Sequence, residues 1–347
     1  MREHPARERA ALLLLLAAAA LLPFLATALG SPATVPLASR IVIYGIAAAS
    51  LNLILGHGGL VSFGHAAFYG LGGYTVGILY AHLAPGDPFL GLIPGSNQLA
   101  VTLPAALLVG GLGAAAIGAL SLRTSGVQFI MITLAFAQML YFLFASLSAY
   151  GGDDGLSVRR PNLLGPLNLR DPATMYWVAL GALALWLAFQ RRLVRSRFGR
   201  VLEGIRQNEA RVVASGIRPY PYKLAAFVIA GMGAALAGAL MVNAMRFVSP
   251  DMLHWTKSGE LMVMVILGGI GTLLGPVLGA LALVVLETGL TALTENWQVV
   301  LGPILVVVVL FSQGGLAALF RRRPASDAPG AAGGRLPRLL SWRRRHG

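Results

Sequence analysis

Long apolar stretches separated by short polar connections set the pattern of this chain. They fall near 41–55, 60–83, 99–121, 126–148, 174–190 and 223–245, with a longer one over 258–289 and a last one at 298–320. Runs of about 20 apolar residues have the length a helix needs to cross a hydrocarbon core of roughly 30 Å. The pattern predicts an all-α polytopic membrane protein, with one helical bundle over residues 1–320. A further run begins at Ala10, behind a basic start and ahead of Ala26-Thr27-Ala28, which resembles a signal-peptidase site. It is longer than a signal core of about 7–15 residues and more spans follow, so an uncleaved first helix is expected.

Two of these runs are interrupted. Residues 56–74, "GHGGLVSFGHAAFYGLGGY", hold seven glycines, two histidines and a serine. A counterpart, "GGIGTLLGP", breaks the run 258–289. Broken helices are tolerated in a membrane where the freed backbone is buried in protein or lines a watery cavity. Paired breaks in the two halves of a chain point to a substrate path. Asn52, Ser62 and His65 add polar contacts around Gly58, Gly59 and Gly64, while Gly269 and Gly271 sit in the second break. Small residues also let membrane helices pack closely, and both uses of these glycines stay open on sequence alone. Ala230, Ala234 and Gly238, spaced four apart, read as a packing face.

Composition agrees with the pattern. Apolar residues make up 56% of the chain and charged residues 12%, about half the usual share for a soluble domain. The net charge of +14 is concentrated at the N-terminus, in 191–223 and after Arg321. That distribution follows the positive-inside rule and lacks the aromatic-basic interleaving of a nucleic-acid face. Arg2, Arg7 and Arg9 place the N-terminus in the cytoplasm, and Arg123 and the loop 191–223 then fall on the same side. The arginines at 321–323 and 343–345 join them only if 258–289 crosses twice. About ten transmembrane helices with both termini cytoplasmic is the consistent count, with a re-entrant hairpin around Gly268–Gly275 as the alternative. The basic tail 321–347 is rich in Pro and Gly and is expected to be disordered, with Trp342 suited to a lipid interface.

The loop 191–223 carries nine Arg or Lys against Glu203 and Glu209. Within it Phe198, Val201, Leu202, Ile205, Val212, Val213 and Ile217 recur at helical spacing, and Gly216 followed by Pro219 is a stop signal. One amphipathic helix is expected there, either lying on lipid or docking into a cytoplasmic partner.

Candidate chemistry is sparse. His65 follows Ser62 by three residues, but no acidic residue lies in that run to orient the pair. His57 and His65 have no third ligand nearby for a metal, and the chain has no cysteine. No G-x-x-x-x-G-K-[ST] phosphate loop is present. An ion-coupled carrier would want an intramembrane acid or base, and only Glu260 and Glu287 lie in or near spans.

Several blocks occur in order: "LNLILGHGGLVSFGHAAFYGLGGYTVGIL", "FIMITLAFAQ", "GGDDGLSVRRPNL", "RSRFGRVLEGIRQNEARVVASGI", "YKLAAFVIAGMGAALAGAL" and "GGIGTLLGPVLGA". Through them residues 40–320 resemble the permease subunits of bacterial ABC importers for branched-chain amino acids, the LivM type. The resemblance implies transport of branched-chain or other hydrophobic amino acids across the cytoplasmic (inner) membrane; similar permeases carry urea or short amides. It implies a second homologous permease, two cytoplasmic ATP-binding subunits and an external substrate-binding protein. No cofactor is then held by this chain, and ATP and Mg are handled by the ATPase subunits. The loop 191–222 becomes the coupling segment, with Arg197, the pair Gly199-Arg200, Arg206, Glu209, Ala210 and Gly216 in the coupling block. Arg211 and Val212 stand where the family motif has small residues. Asn52, Gly58, Gly59, Ser62, Gly64, His65, Gly269 and Gly271 become the expected substrate path.

Overall fold

The computed structural model describes residues 14–23, 34–83, 94–159, 162–164, 167–293, 299–300, 302–303 and 315–316. The N-terminal arginines, Ala26-Thr27-Ala28, most of the run 298–320 and the tail 321–347 lie outside the described residues. Helix α1 covers Leu14–Pro23. It is followed by α2 (Thr34–Asn52), α3 (His65–Ala81), α4 (Leu99–Ser121), α5 (Val127–Ser146) and α6 (Pro172–Arg195). Then come α7 (Arg197–Gln207), α8 (Glu209–Ala214), α9 (Pro219–Met245), α10 (Trp255–Gly268) and α11 (Gly275–Thr291). Among the described residues five segments, Thr34–His57 and Pro219–Met245 included, are long and apolar enough to cross a membrane. The protein is an all-α membrane protein.

Local chemistry fixes where these helices begin. Asp171 caps α6, its carboxylate accepting from the Thr174 N–H at 3.0 Å and the Thr174 hydroxyl at 2.8 Å. Pro172 takes the first helical position, where a missing N–H removes nothing, and Pro219 does the same for α9. These starts explain why both helices extend beyond the apolar runs 174–190 and 223–245.

The arginine-rich segment marks one end of the bundle, the basic end. Helix α2 arrives there at His57, α4 at Ser121 and α6 at Arg195, while α5 and α9 leave it. The Tyr220 hydroxyl ties the start of α9 to the Ala119 carbonyl near the end of α4, at 3.0 Å. At the opposite end two short antiparallel ribbons form: β1 (Leu156–Ser157) with β4 (Phe247–Val248), and β2 (Leu163–Leu164) with β3 (Leu167–Asn168).

Helix α9 is the central post, and its small residues bring neighbours to backbone distance. Ala230, Ala234 and Gly238 are all buried, as the four-residue spacing predicts. Gly238 lies against the backbone of Tyr69, and Gly72 of α3 lies against the backbone of Ala235, so any side chain at either would collide with main chain. Association inside a bilayer gains little from apolar transfer, so this close packing carries much of the stability.

The two halves repeat one plan in opposite directions. Helix α2 reaches the basic end, the chain returns irregularly through 58–64, and the short α3 completes the crossing. Helix α9 reaches the other end, the chain returns irregularly through 246–254, and the short α10 completes that crossing. Each irregular return packs beside the other half's short helix: Val248 sits on Gly77 and Leu253 on Gly70, while Phe63 meets Trp255 of α10; the two short helices are joined where the Ser258 hydroxyl accepts the Ala66 N–H at 2.7 Å.

The Asp171 cap is testable by pH. Hydrogen bonds from the Thr174 hydroxyl and then its backbone N–H hold the Asp171 carboxyl below the usual carboxylate range. Its stabilisation is complete above the unfolded pKa of about 3.9 and is lost as pH falls through the lower folded value. In thermal unfolding of the purified protein, Asp171→Ala is expected to cost about 1 kcal/mol at pH 7. The gap to wild type should close as the pH is taken below about 4.

Candidate functional site at the two helix breaks

The first break begins before the chain leaves the helix. Residues Leu53–His57 form a π turn, in which the Gly58 N–H reaches the Leu53 carbonyl at 3.2 Å. The wider turn departs from the regular α ladder, and such turns collect at functional positions. Beyond it, the irregular segment satisfies its own backbone: Leu60 N–H donates to the Ile54 carbonyl at 2.9 Å, and Gly64 N–H to the Ser62 hydroxyl at 3.2 Å. Ser62 is thus engaged locally rather than with His65. The Ser50 hydroxyl donates to the Ala47 carbonyl at 2.6 Å, so His65, 2.9 Å away through Nε2, donates to Ser50. The spacing that hinted at a nucleophile and base joins two residues with separate partners.

The second break, between α10 and α11, uses positive-φ backbone at Gly269 (118°) and Gly271 (77°). Thr272 folds the turn, its hydroxyl donating to the Gly269 carbonyl at 2.8 Å and accepting from the Gly275 N–H at 3.1 Å.

Asn52 joins the two breaks across more than 200 residues of sequence. Its Nδ2 donates to the Thr272 carbonyl at 2.8 Å, and its Oδ1 accepts the Gly271 N–H at 2.9 Å. Gly56 makes the approach possible, since a methyl there would lie 2.6 Å from the Gly271 nitrogen and 2.8 Å from its Cα. The breaks paired by glycine content in the sequence are therefore paired in space, at the basic end of the bundle.

The cytoplasmic-loop prediction needs one correction. Two helices stand where one was expected, because Asn208 is extended (φ −161°) and caps α8 by accepting the Arg211 N–H at 3.0 Å. Helix α8 ends in a Schellman arrangement, with Gly216 N–H on the Val213 carbonyl (2.9 Å) and Ile217 N–H on that of Val212 (3.3 Å). Gly216 supplies the required positive φ of 81°. Between the helices lies an open groove lined by Val201, Gly204, Val212 and Ile217, with Arg197 and Arg200 alongside. Leu202 and Ile205 point the other way and are buried. Glu209 is paired with Lys223, whose Nζ is 2.7 Å from both carboxylate oxygens. Ala210 lies exposed on α8. Arg206 is exposed like Arg197 and Arg200, but it lies outside the groove and its Nη1 donates to the Gly56 carbonyl at the π turn.

The sequence shows Glu260 and Glu287 but not the cations that they meet. Lys257 pairs with Glu260 at 2.6 Å and lies over the Tyr44 ring, 5.6 Å from its centroid. Glu287 lies 3.8 Å from Arg40. The i,i+3 spacing of Lys257 and Glu260 at the edge of an apolar run was the available signal.

The architecture is that of a multi-pass transport protein built on broken, inverted halves. Residues 33–309 match the family described as "Branched-chain amino acid transport system / permease component", and the chain belongs to that family. Its relatives include the protein named high-affinity branched-chain amino acid transport system permease protein LivM of Escherichia coli K12. That protein is 29% identical over 84% of this chain and 71% of its own length. The protein of the same name from Salmonella typhimurium is 28% identical over 91% and 76% respectively. A probable branched-chain amino acid transport permease protein LivM from Methanocaldococcus jannaschii is 27% identical over 78% and 86%. No solved structure matches the chain. The protein is a transport permease component.

The Asn52 tie can be weighed by substitution. Asn52→Ala strands the Gly271 N–H and the Thr272 carbonyl in a part-buried site, each worth about 1–3 kcal/mol when left unpaired. Thermal unfolding in detergent should fall accordingly. Asn52→Gln, one methylene longer beside Gly56, should not restore it.

Proposed function

We propose that the chain is one permease subunit of an ATP-driven importer for branched-chain or other hydrophobic amino acids in the bacterial cytoplasmic membrane. It pairs with a second homologous permease, two ATPase subunits that hold ATP and Mg, and an external binding protein. The observation that carries this reading is the groove between α7 and α8. It offers apolar Val201, Val212 and Ile217 beside arginines, on the end of the bundle that the positive-inside rule assigns to the cytoplasm. An apolar centre with a charged rim suits a protein partner better than a lipid surface.

Ten crossings with both termini cytoplasmic follow in this reading, with residues 1–320 as the permease and 321–347 as a basic tail. The described segments support it by alternating between the two ends, and Gly315 lies at the basic end against Gly268 and Gly269. An ion-coupled carrier is disfavoured because Glu260 and Glu287 each have a cationic partner. The substrate path is assigned to the wall made by Gly58, Gly59, Ser62, Gly64 and His65 with Asn52, Gly269 and Gly271 at its basic end. Leu60, Val61 and Phe63 are half-buried along that wall, and Phe63 meets Trp255 at 6.2 Å between ring centroids.

Four measurements check these assignments. In the assembled complex, Val212→Asp places a carboxylate in the groove and should weaken ATPase association by about 2 kcal/mol, roughly 30-fold. Unchanged association with a folded permease would remove the groove as the docking surface. The chain lacks cysteine, so single cysteines at Leu60 and Phe63 give a clean background. Their rate of modification by a water-soluble thiol reagent should change with substrate and ATP; constant rates would exclude 58–64 from the path. In intact cells, an impermeant reagent should label a cysteine at Asp154 but not at Gln207 or Gly330, and uptake of labelled leucine should exceed that of urea.

A further inference from the structure

We propose that Arg206 is the positioning residue that couples movement of α7 to both helix breaks at once. The inference rests on the docking role of α7 and α8 given above. Arg206 lies in the last turn of α7 and is exposed, yet its side chain reaches the π turn and does not line the groove. Its Nη1 donates to the Gly56 carbonyl, and its stem covers Gly59, where a methyl would lie 2.9 Å from Arg206 Cγ. A methyl on Gly271 would lie 3.5 Å from Arg206 Nη1, so the same guanidinium borders the second break. Gly56 is in turn locked beside Asn52, which holds Gly271 and Thr272. One line of contacts therefore runs from α7 through Arg206 to the π turn, and from there to the turn between α10 and α11.

The π turn gives this line something to switch. A five-residue π turn is one rearrangement away from regular α-helix, and the carbonyl of Gly56 is held in place by Arg206. Displacing α7 either draws Gly56 and the 269–274 turn with it or releases that carbonyl. Rewinding of Leu53–His57 would then shift the irregular segment 58–64 by about the rise of one residue, ~1.5 Å, and rotate it. Leu202 and Ile205, buried beneath α7, keep the helix seated so that its motion is passed inward. Tight packing favours discrete rearrangement over gradual bending.

The experiment uses the complete complex in liposomes, comparing wild type with Arg206→Met and Arg206→Lys. The expected result for Arg206→Met is intact assembly, ATP hydrolysis within about twofold of wild type, and substrate uptake per ATP reduced at least tenfold. Arg206→Lys keeps a cationic donor and should recover part of the uptake. Spin labels at Leu60 and Gln207 should show an ATP-dependent distance change in wild type and Arg206→Lys that Arg206→Met lacks. Unchanged uptake per ATP in Arg206→Met would overturn the proposal. So would parallel loss of assembly, hydrolysis and uptake in both variants, which would make Arg206 a purely structural residue. Failure of the wild-type permease to bind an ATPase at all would instead defeat the importer reading itself.

Discussion

The structure depends on one demand: a peptide group inside the bilayer must find its partner within the protein. Regular helices meet it automatically, and the two helix breaks do not. Segment 58–64 meets it with Ser62 on Gly64 and with the Ile54 carbonyl on Leu60, while Ala66 borrows a hydroxyl from Ser258 of the other half. The turn 269–274 meets it through Thr272 and the amide of Asn52. Each half supplies polar atoms that the other half's break requires. The bundle is consequently not two halves packed side by side, because hydrogen bonds run both ways between them, from Asn52 to the 269–274 turn and from Ala66 to Ser258.

That mutual dependence explains the placement of small residues. Serine, threonine and asparagine can serve the breaks only if backbones approach to hydrogen-bond distance, and Gly56, Gly72 and Gly238 stand at such approaches. Of the two uses that the glycines left open, close packing is the one these contacts show. Gly58 and Gly64 face the Ile54 and Thr133 carbonyls closely, whereas the side chains left on the open side are Leu60, Val61 and Phe63.

Much of this was legible in the chain. Length and hydropathy mark the long helices because crossing a bilayer imposes a single length, and paired glycine-rich breaks announced the region that joins the halves. The family was legible from ordered blocks spread over most of the permease. Finer features were not, and for a physical reason. Asn208 splits the loop helix through a cap whose worth is about that of one hydrogen bond, too little to outweigh an amphipathic pattern on either side. Arg206 looks like its neighbours Arg197 and Arg200, since the carbonyl it reaches lies 150 residues earlier. The Lys257–Glu260 pair was half seen, as an acid without its base.

Those ion pairs bear on how the protein can be driven. Lys257 with Glu260, and Arg40 with Glu287, are each neutral as a unit. A charge moved through a membrane potential of 100 mV gains or loses about 2.3 kcal/mol, whereas a neutral pair moving together gains nothing. A movement of α2, α10 and α11 that kept each pair together would therefore offer the electric field no handle through these four residues.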